Sequence, residues 1–219
     1  MRRYLLSILL LTAVQVIAGP NQAAKLYVDV IPSTTAPDSV STAVPTTSFW
    51  VGVRVADARY LDTYGFLLSY DTARLAFVRA LPGDAGEANF LETRGGTPIG
   101  FIGERSRRDS TRVSVAYGLP RQDSTKSPNG AGLLALINFR SKGPTGNARY
   151  SLREVKLLDW QQTLDTAMTL YGGRTAIQNP VTVLVINRQG QSKSYLREVA
   201  WALGHEPEKA GRFLLGRRR

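Results

Sequence analysis

The sequence predicts an all-β protein, an antiparallel β-sandwich followed by a short helical tail. Three observations predict it. Apolar and polar side chains alternate in several separate runs between residues 24 and 178, the period of a strand with one buried face. Polar turns rich in Gly and Pro separate those runs. No stretch in that span repeats convincingly at helical spacing, and about nine or ten short strands spaced in this way suit two packed sheets.

The elements follow in chain order. "AKLYVDVI" (24–31) sets Leu26, Val28 and Val30 against Tyr27, Asp29 and Ile31, which is a strand. Residues 32–48 are rich in Ser, Thr and Pro and make a loop or an extended edge, since Pro32, Pro37 and Pro45 cannot donate to a ladder. "FWVGVRVADA" (49–58) places Phe49, Val51, Val53 and Val55 on one face. "YGFLLSYDTARLAFV" (64–78) reads as two strands around a corner. Phe66, Leu68 and Tyr70 alternate, Asp71 breaks the run, and Leu75 and Phe77 resume it. Asp71 can accept bonds from the amides that follow it and so close the turn.

Residues 81–96 are mostly loop, with a short strand at Phe90–Leu91. "TPIGFIGERS" and "STRVSVAYGL" bracket "RRD", a hairpin with a basic tip. "RQDSTKSPNGAG" is a polar turn region with too few carboxylates for a calcium loop. "LLALINFRSK" (133–142) is a strand whose first half is apolar on both faces, and "ARYSLREVKLLDW" and "TAMTLYGGRTAI" complete the set. In the tail, Tyr195, Leu196, Val199, Ala200 and Leu203 fall at helical spacing, so residues 194–204 are expected to form a helix ending at Gly204.

Composition narrows the chemistry. Of 219 residues 43% are hydrophobic, enough for a sizeable core without staples. The chain has no Cys, and His205 is its only His. A disulfide framework, a thiol nucleophile, a His-based triad and a His-rich metal site therefore lack their materials. Asp29, Asp71, Glu104, Asp159 and Asp165 are scattered beside turns and strand exits and do not assemble an acid/base pair. The expectation is a non-enzyme with no cofactor and no metal.

Arg2 and Arg3 precede the apolar run "YLLSILLLTAVQVIA", and Val16 and Ala18 fit a signal-peptidase site. The run is short for a membrane span. Residues 1–18 are thus expected to be a cleaved signal peptide, residues 19–180 the sandwich, and residues 181–219 a basic tail. No membrane span remains after cleavage, and the protein is expected outside the cell, at the cell surface or in the periplasm. The formal charge is +11, of which the tail from Val181 carries five units. A basic exported protein can meet acidic polysaccharide, lipid or nucleic acid. No motif singles out nucleic acid, and none is expected as a partner.

Three sets of residues together resemble the cohesin family. They are Phe66, Leu68, Tyr70 and Asp71; then Leu134, Ile137 and Phe139; then Val155, Leu157 and Asp159. The likeness covers about residues 24–178. It implies a jelly-roll sandwich of about nine strands, related in shape to several carbohydrate-binding modules. It also implies a secreted, non-catalytic module that holds a dockerin-like protein on one flat sheet face. Contact positions before the strand Tyr would fall on Thr63 and Gly65, and Gly65 brings no side chain. A second contact strand would offer Tyr117 and Leu119. The other parity, with Val113, Val115 and Tyr117 in the core, is slightly favoured because Ser114, Ala116 and Gly118 are small.

Two further readings stand beside this one. A carbohydrate-binding module acting on polysaccharide would use exposed rings, for which Trp50 and Trp160 are the candidates. A structural cell-surface protein would need no site. The stretch "INRQGQSKSYLREVAWALG" (186–204) faintly resembles half a dockerin, but Gln189 and Lys193 stand where acidic ligands are needed, so a plain terminal helix is the simpler expectation.

Overall fold

The computed structural model describes residues 19–33, 36–84, 86–104, 112–166, 168–179, 182–186 and 192–196. Residues 1–18, read as the signal peptide, lie outside them. Two sheets pack face to face. Strands β1 (Lys25–Asp29), β3 (Ser48–Ala58), β5 (Leu75–Leu81), β8 (Gly130–Ser141) and β11 (Thr169–Tyr171) form a five-stranded sheet in the order β11-β1-β3-β8-β5. The second sheet has seven strands. Its order is β2 (Val40–Ala43), β12 (Gly173–Ile177), β9 (Gly146–Asp159), β4 (Leu61–Tyr70), β7 (Arg112–Gly118) and β6 (Ile99–Glu104), with β10 (Leu164–Asp165) paired on β9.

The alternation expected from the sequence builds the core. Val51, Val53, Phe66, Leu68, Tyr70 and Phe139 are buried between the sheets, and Phe49 packs partly buried against them. Tyr70 and Tyr150 flank Phe139 with ring centroids 4.9 and 5.5 Å away. The whole run Leu133–Phe139 is buried: β8 lies against the core, and Asn89 with the turn Phe90–Glu92 packs on the strand as well. The corner closes as its chemistry asks. Asp71 Oδ1 accepts from the Ala73 amide at 3.0 Å, its backbone carbonyl accepts from Leu75 at 2.9 Å, and Arg74 Nη1 donates to Asp71 Oδ2 at 2.8 Å.

Four details differ from the sequence reading. The sheets are mixed: β1 pairs β11 and β2 pairs β12 in parallel, which draws the beginning and end of the sandwich together at its edges. The expected single strand near residue 170 is split between the sheets at Gly172–Gly173. A Cβ at Gly172 would stand 2.7 Å from the Tyr150 carbonyl oxygen, so no larger residue fits this crossing. Phe90–Leu91 is not a strand but the start of a 3-10 turn, Phe90–Glu92, whose first amides are met by the Asn89 side chain accepting from Leu91 at 3.0 Å.

The fourth difference is in the tail. Ser192–Leu196 is a strand, β14, paired antiparallel with β13 (Thr182–Ile186) outside both sheets. Ser194, Tyr195 and Leu196 are therefore extended where the helical spacing predicted a first turn. An isolated helix of about eleven residues is marginal, and strand pairing satisfies the same backbone groups. Residues 197–204, the rest of the expected helix, lie outside the described residues. Among the described residues no helix is long and apolar enough to cross a membrane.

Candidate functional site

Each sheet has an inner face on the core and an outer face. On the seven-stranded sheet, Tyr64, Phe66 and Leu68 point inward, so Thr63, Gly65, Leu67 and Ser69 point outward. Register carries this across the neighbours. Thr63, Gly65, Leu67 and Ser69 stand opposite Gly118, Ala116, Ser114 and Arg112 on β7. Gly118, Ala116 and Ser114 in turn stand opposite Ile99, Phe101 and Gly103 on β6. The centre of this face is low: a Cβ added at Gly65 would find no atom nearer than 3.6 Å.

The β6 edge is apolar and open. Ile99 is 64% and Phe101 57% exposed. The Phe101 ring leans over Gly103, where an added Cβ would stand 2.9 Å from its Cζ. Water gains nothing from contact with these two side chains, and covering them is favourable. The strands on the other side of β4 are basic. Arg153 and Lys156 on β9 stand beside Leu67 and Gly65, and Arg149 pairs in register with Arg174 on β12. These four are exposed and form no ion pair among the described residues. Arg112 lies 3.7 Å from the Glu154 carboxylate.

Four of the five residues singled out in the sequence gather at one end of this sheet. The Thr63 hydroxyl donates to Asp62 Oδ2 at 3.1 Å and covers Gly118. The Leu119 amide donates to the Asp62 carbonyl at 3.0 Å, and Gln162, two residues after Trp160, donates to Asp62 Oδ2 at 3.1 Å. Thr63 is on the outer face. Tyr117 and Leu119 instead pack partly buried against the core, following the favoured parity, and burial pushes the Tyr117 hydroxyl up from its ordinary value. Trp160 is half-buried, its amide bonded to the Tyr60 carbonyl at 3.2 Å. Burial likewise raises the Asp62 carboxyl above its usual range, while its hydrogen bonds from Thr63 and Gln162 pull the other way.

Trp50 is apart from these. It stands half-buried on the outer face of the five-stranded sheet, in a cleft of about 810 Å³ with Phe49, Arg54, Glu87 and Leu136. Arg79 lies over its ring, 5.2 Å from the centroid. Trp50 is on β3 of the five-stranded sheet, whereas Trp160 is in the turn that follows β9 of the seven-stranded sheet. Among the described residues no three His, Asp or Glu side chains are placed to hold a metal ion.

Sequence reasoning missed Ile99, Phe101 and the row Arg149, Arg153, Lys156 and Arg174. The alternation of "TPIGFIGERS" contains the first signal. Its Ile99 and Phe101 share one parity, but only register shows that this parity faces out.

No family model and no curated protein matches the sequence. Solved structures do match the fold. The chain is similar to a non-cellulosomal cohesin from the hyperthermophilic archaeon Archaeoglobus fulgidus, with 14% identity, a TM-score of 0.52, and coverage of 72% of this chain and 92% of that one. A type I cohesin–dockerin complex from Clostridium thermocellum matches at 12% identity and TM-score 0.55, over 72% and 94% of the two chains. The seventh type I cohesin of ScaB from Pseudobacteroides cellulosolvens matches at 11% identity and TM-score 0.54, over 76% and 99%. The fold is cohesin-like.

Proposed function

We propose that this chain is an exported, non-catalytic interaction module that holds a dockerin-type protein on the outer face of its seven-stranded sheet, within an extracellular or surface-bound assembly. The observation that carries the reading is the face itself: a low floor of Gly65, Ser114 and Ala116 beside exposed Ile99 and Phe101. Flat, small-residue floors admit a partner's backbone closely, and the exposed apolar pair supplies the buried area an interface needs. The fold adds weight, since several solved neighbours are cohesins in complex with dockerins. In this reading residues 19–180 are the module, residues 1–18 direct export, and Thr63 lies at the end of the contact surface.

The sugar-binding alternative is less favoured, because Trp50 lies half-buried on β3 under Arg79 and Trp160 lies half-buried in the turn after β9. The test is a panel of dockerin-type modules, screened by calorimetry against the full chain and against Ala116→Arg. Ala116 is exposed, so the variant keeps the fold and fills the floor. The expected result is a partner whose binding the variant abolishes. Retention of neutral polysaccharide, lost on Trp50→Ala and indifferent to Ala116→Arg, would replace this reading with the carbohydrate one.

A further inference from the structure

Resting on the docking-face reading above, we propose that the partner presents an acidic helix: small or apolar side chains along its contact ridge, and carboxylates along the flank that meets β9 and β12. The face is graded across its strands. Ile99 and Phe101 form one border, Gly65, Ser114, Ala116 and the buried Leu67 the floor, and Arg153, Lys156, Arg149 and Arg174 the other border. From β6 to β9 there are three strand spacings of about 4.8 Å each, or roughly 14 Å. A helix with its side chains is about 10–12 Å wide. One helix therefore fills the floor and brings its two flanks to the two borders.

Charge decides which helix. Five cations border or lie on this face, Arg112, Arg149, Arg153, Lys156 and Arg174, beside the carboxylate of Glu154. Apart from Arg112, their hydrogen-bonding capacity is not used in an ion pair among the described residues. A partner with basic flanks would be repelled, while one with carboxylates is both steered and held in register. Two other occupants have the wrong sign. A second copy of the chain carries the same formal charge of +11, and residues 197–219 carry six Lys and Arg against three Glu.

The test is selection from a displayed helical library with small or apolar ridge positions and Glu, Gln or Lys at the flank positions. The full chain is the bait, and Ala116→Arg is the counter-selection. Expected is enrichment of Glu over Lys by about tenfold among binders that Ala116→Arg eliminates, weakening as salt is raised. The double variant Arg153→Glu, Lys156→Glu should reverse the preference toward Lys. Binders eliminated by Ala116→Arg but without a Glu preference would overturn the acidic helix and leave the docking face standing. Binders that survive Ala116→Arg would overturn both. Retention of an acidic polysaccharide such as polygalacturonate, with no helix selected, would also overturn the proposal.

Discussion

The two outer faces of the sandwich treat their charged groups in opposite ways. On the five-stranded side, Arg54 donates from Nε to Asp29 Oδ2 at 2.7 Å and from both terminal nitrogens to Glu87 at 2.6 Å. Asp29 is fully buried, and its Oδ1 also accepts from the amides of Ile31 and Asp38, each at 3.1 Å. Tyr27 stacks on Tyr171 with centroids 4.7 Å apart, and Arg79 caps Trp50. On the seven-stranded side, Arg149, Arg153, Lys156 and Arg174 have no such partners among the described residues. On one face Arg54 ties loops onto the sheet. The other leaves its cations for something outside the chain. Removing one partner of a buried ion pair strands the other charge, whereas an exposed cation is solvated and open to a partner of opposite charge.

The largest effects test the first half of that contrast. Arg54→Ala should destabilise the protein by about 3–5 kcal/mol, because it strands the buried Asp29 carboxylate without its counter-charge. Urea unfolding measures it. Phe66→Ala, which empties a core position shared by both sheets, should cost a similar 3–5 kcal/mol or so. An Arg54 variant as stable as the parent would mean that the loop ties are decorative, and the contrast between the faces would collapse.

Arg153→Gln should do much less to stability. The expected change is within about 0.5 kcal/mol, since the side chain is exposed and leaves no buried partner behind. Its effect should instead appear in partner binding and in the salt dependence of that binding. A loss of stability as large as that of Arg54→Ala would show that the basic row is structural.

Most of the core is legible in the alternation. The runs around Val51, Phe66 and Phe139 have one apolar parity each, and the Asp71 corner announces its own turn. The candidate face is harder to read. Glu154 has a positive φ of 49° and sits in a register shift on β9. That bulge puts Arg153 and Lys156, three residues apart, on the same outer face, which strict alternation forbids. The basic row therefore exists only once β9 is paired with β4. The start of the tail failed for a different reason. Helical spacing in Tyr195, Leu196 and Val199 is a weak signal over so short a stretch, and pairing with Thr182–Ile186 overrides it.

The smallest effect concerns two buried carboxylates. Asp29 is answered by a guanidinium, whereas Asp62, at the end of the proposed docking face, is answered by neutral donors, the Thr63 hydroxyl and the Gln162 amide among them. Burial raises the Asp62 carboxyl, with the nearby Asp159 adding to the effect. A raised value in the folded state means that the folded protein binds the proton more tightly than the unfolded chain does. The contribution of Asp62 to stability is then fully present below its unfolded value of about 4 and is lost as pH rises through the folded value. Asp62→Asn removes that titration while keeping an acceptor for Thr63. The variant should therefore gain on the parent protein as pH is raised from about 4 toward neutrality, in thermal unfolding followed at several pH values. If Asp62→Asn loses ground over that range, the hydrogen bonds from Thr63 and Gln162 outweigh burial, and the anionic carboxylate is an anchor for the end of β4. Asp62 would then resemble Asp29 in holding its surroundings in place, with neutral donors taking over the work of the guanidinium.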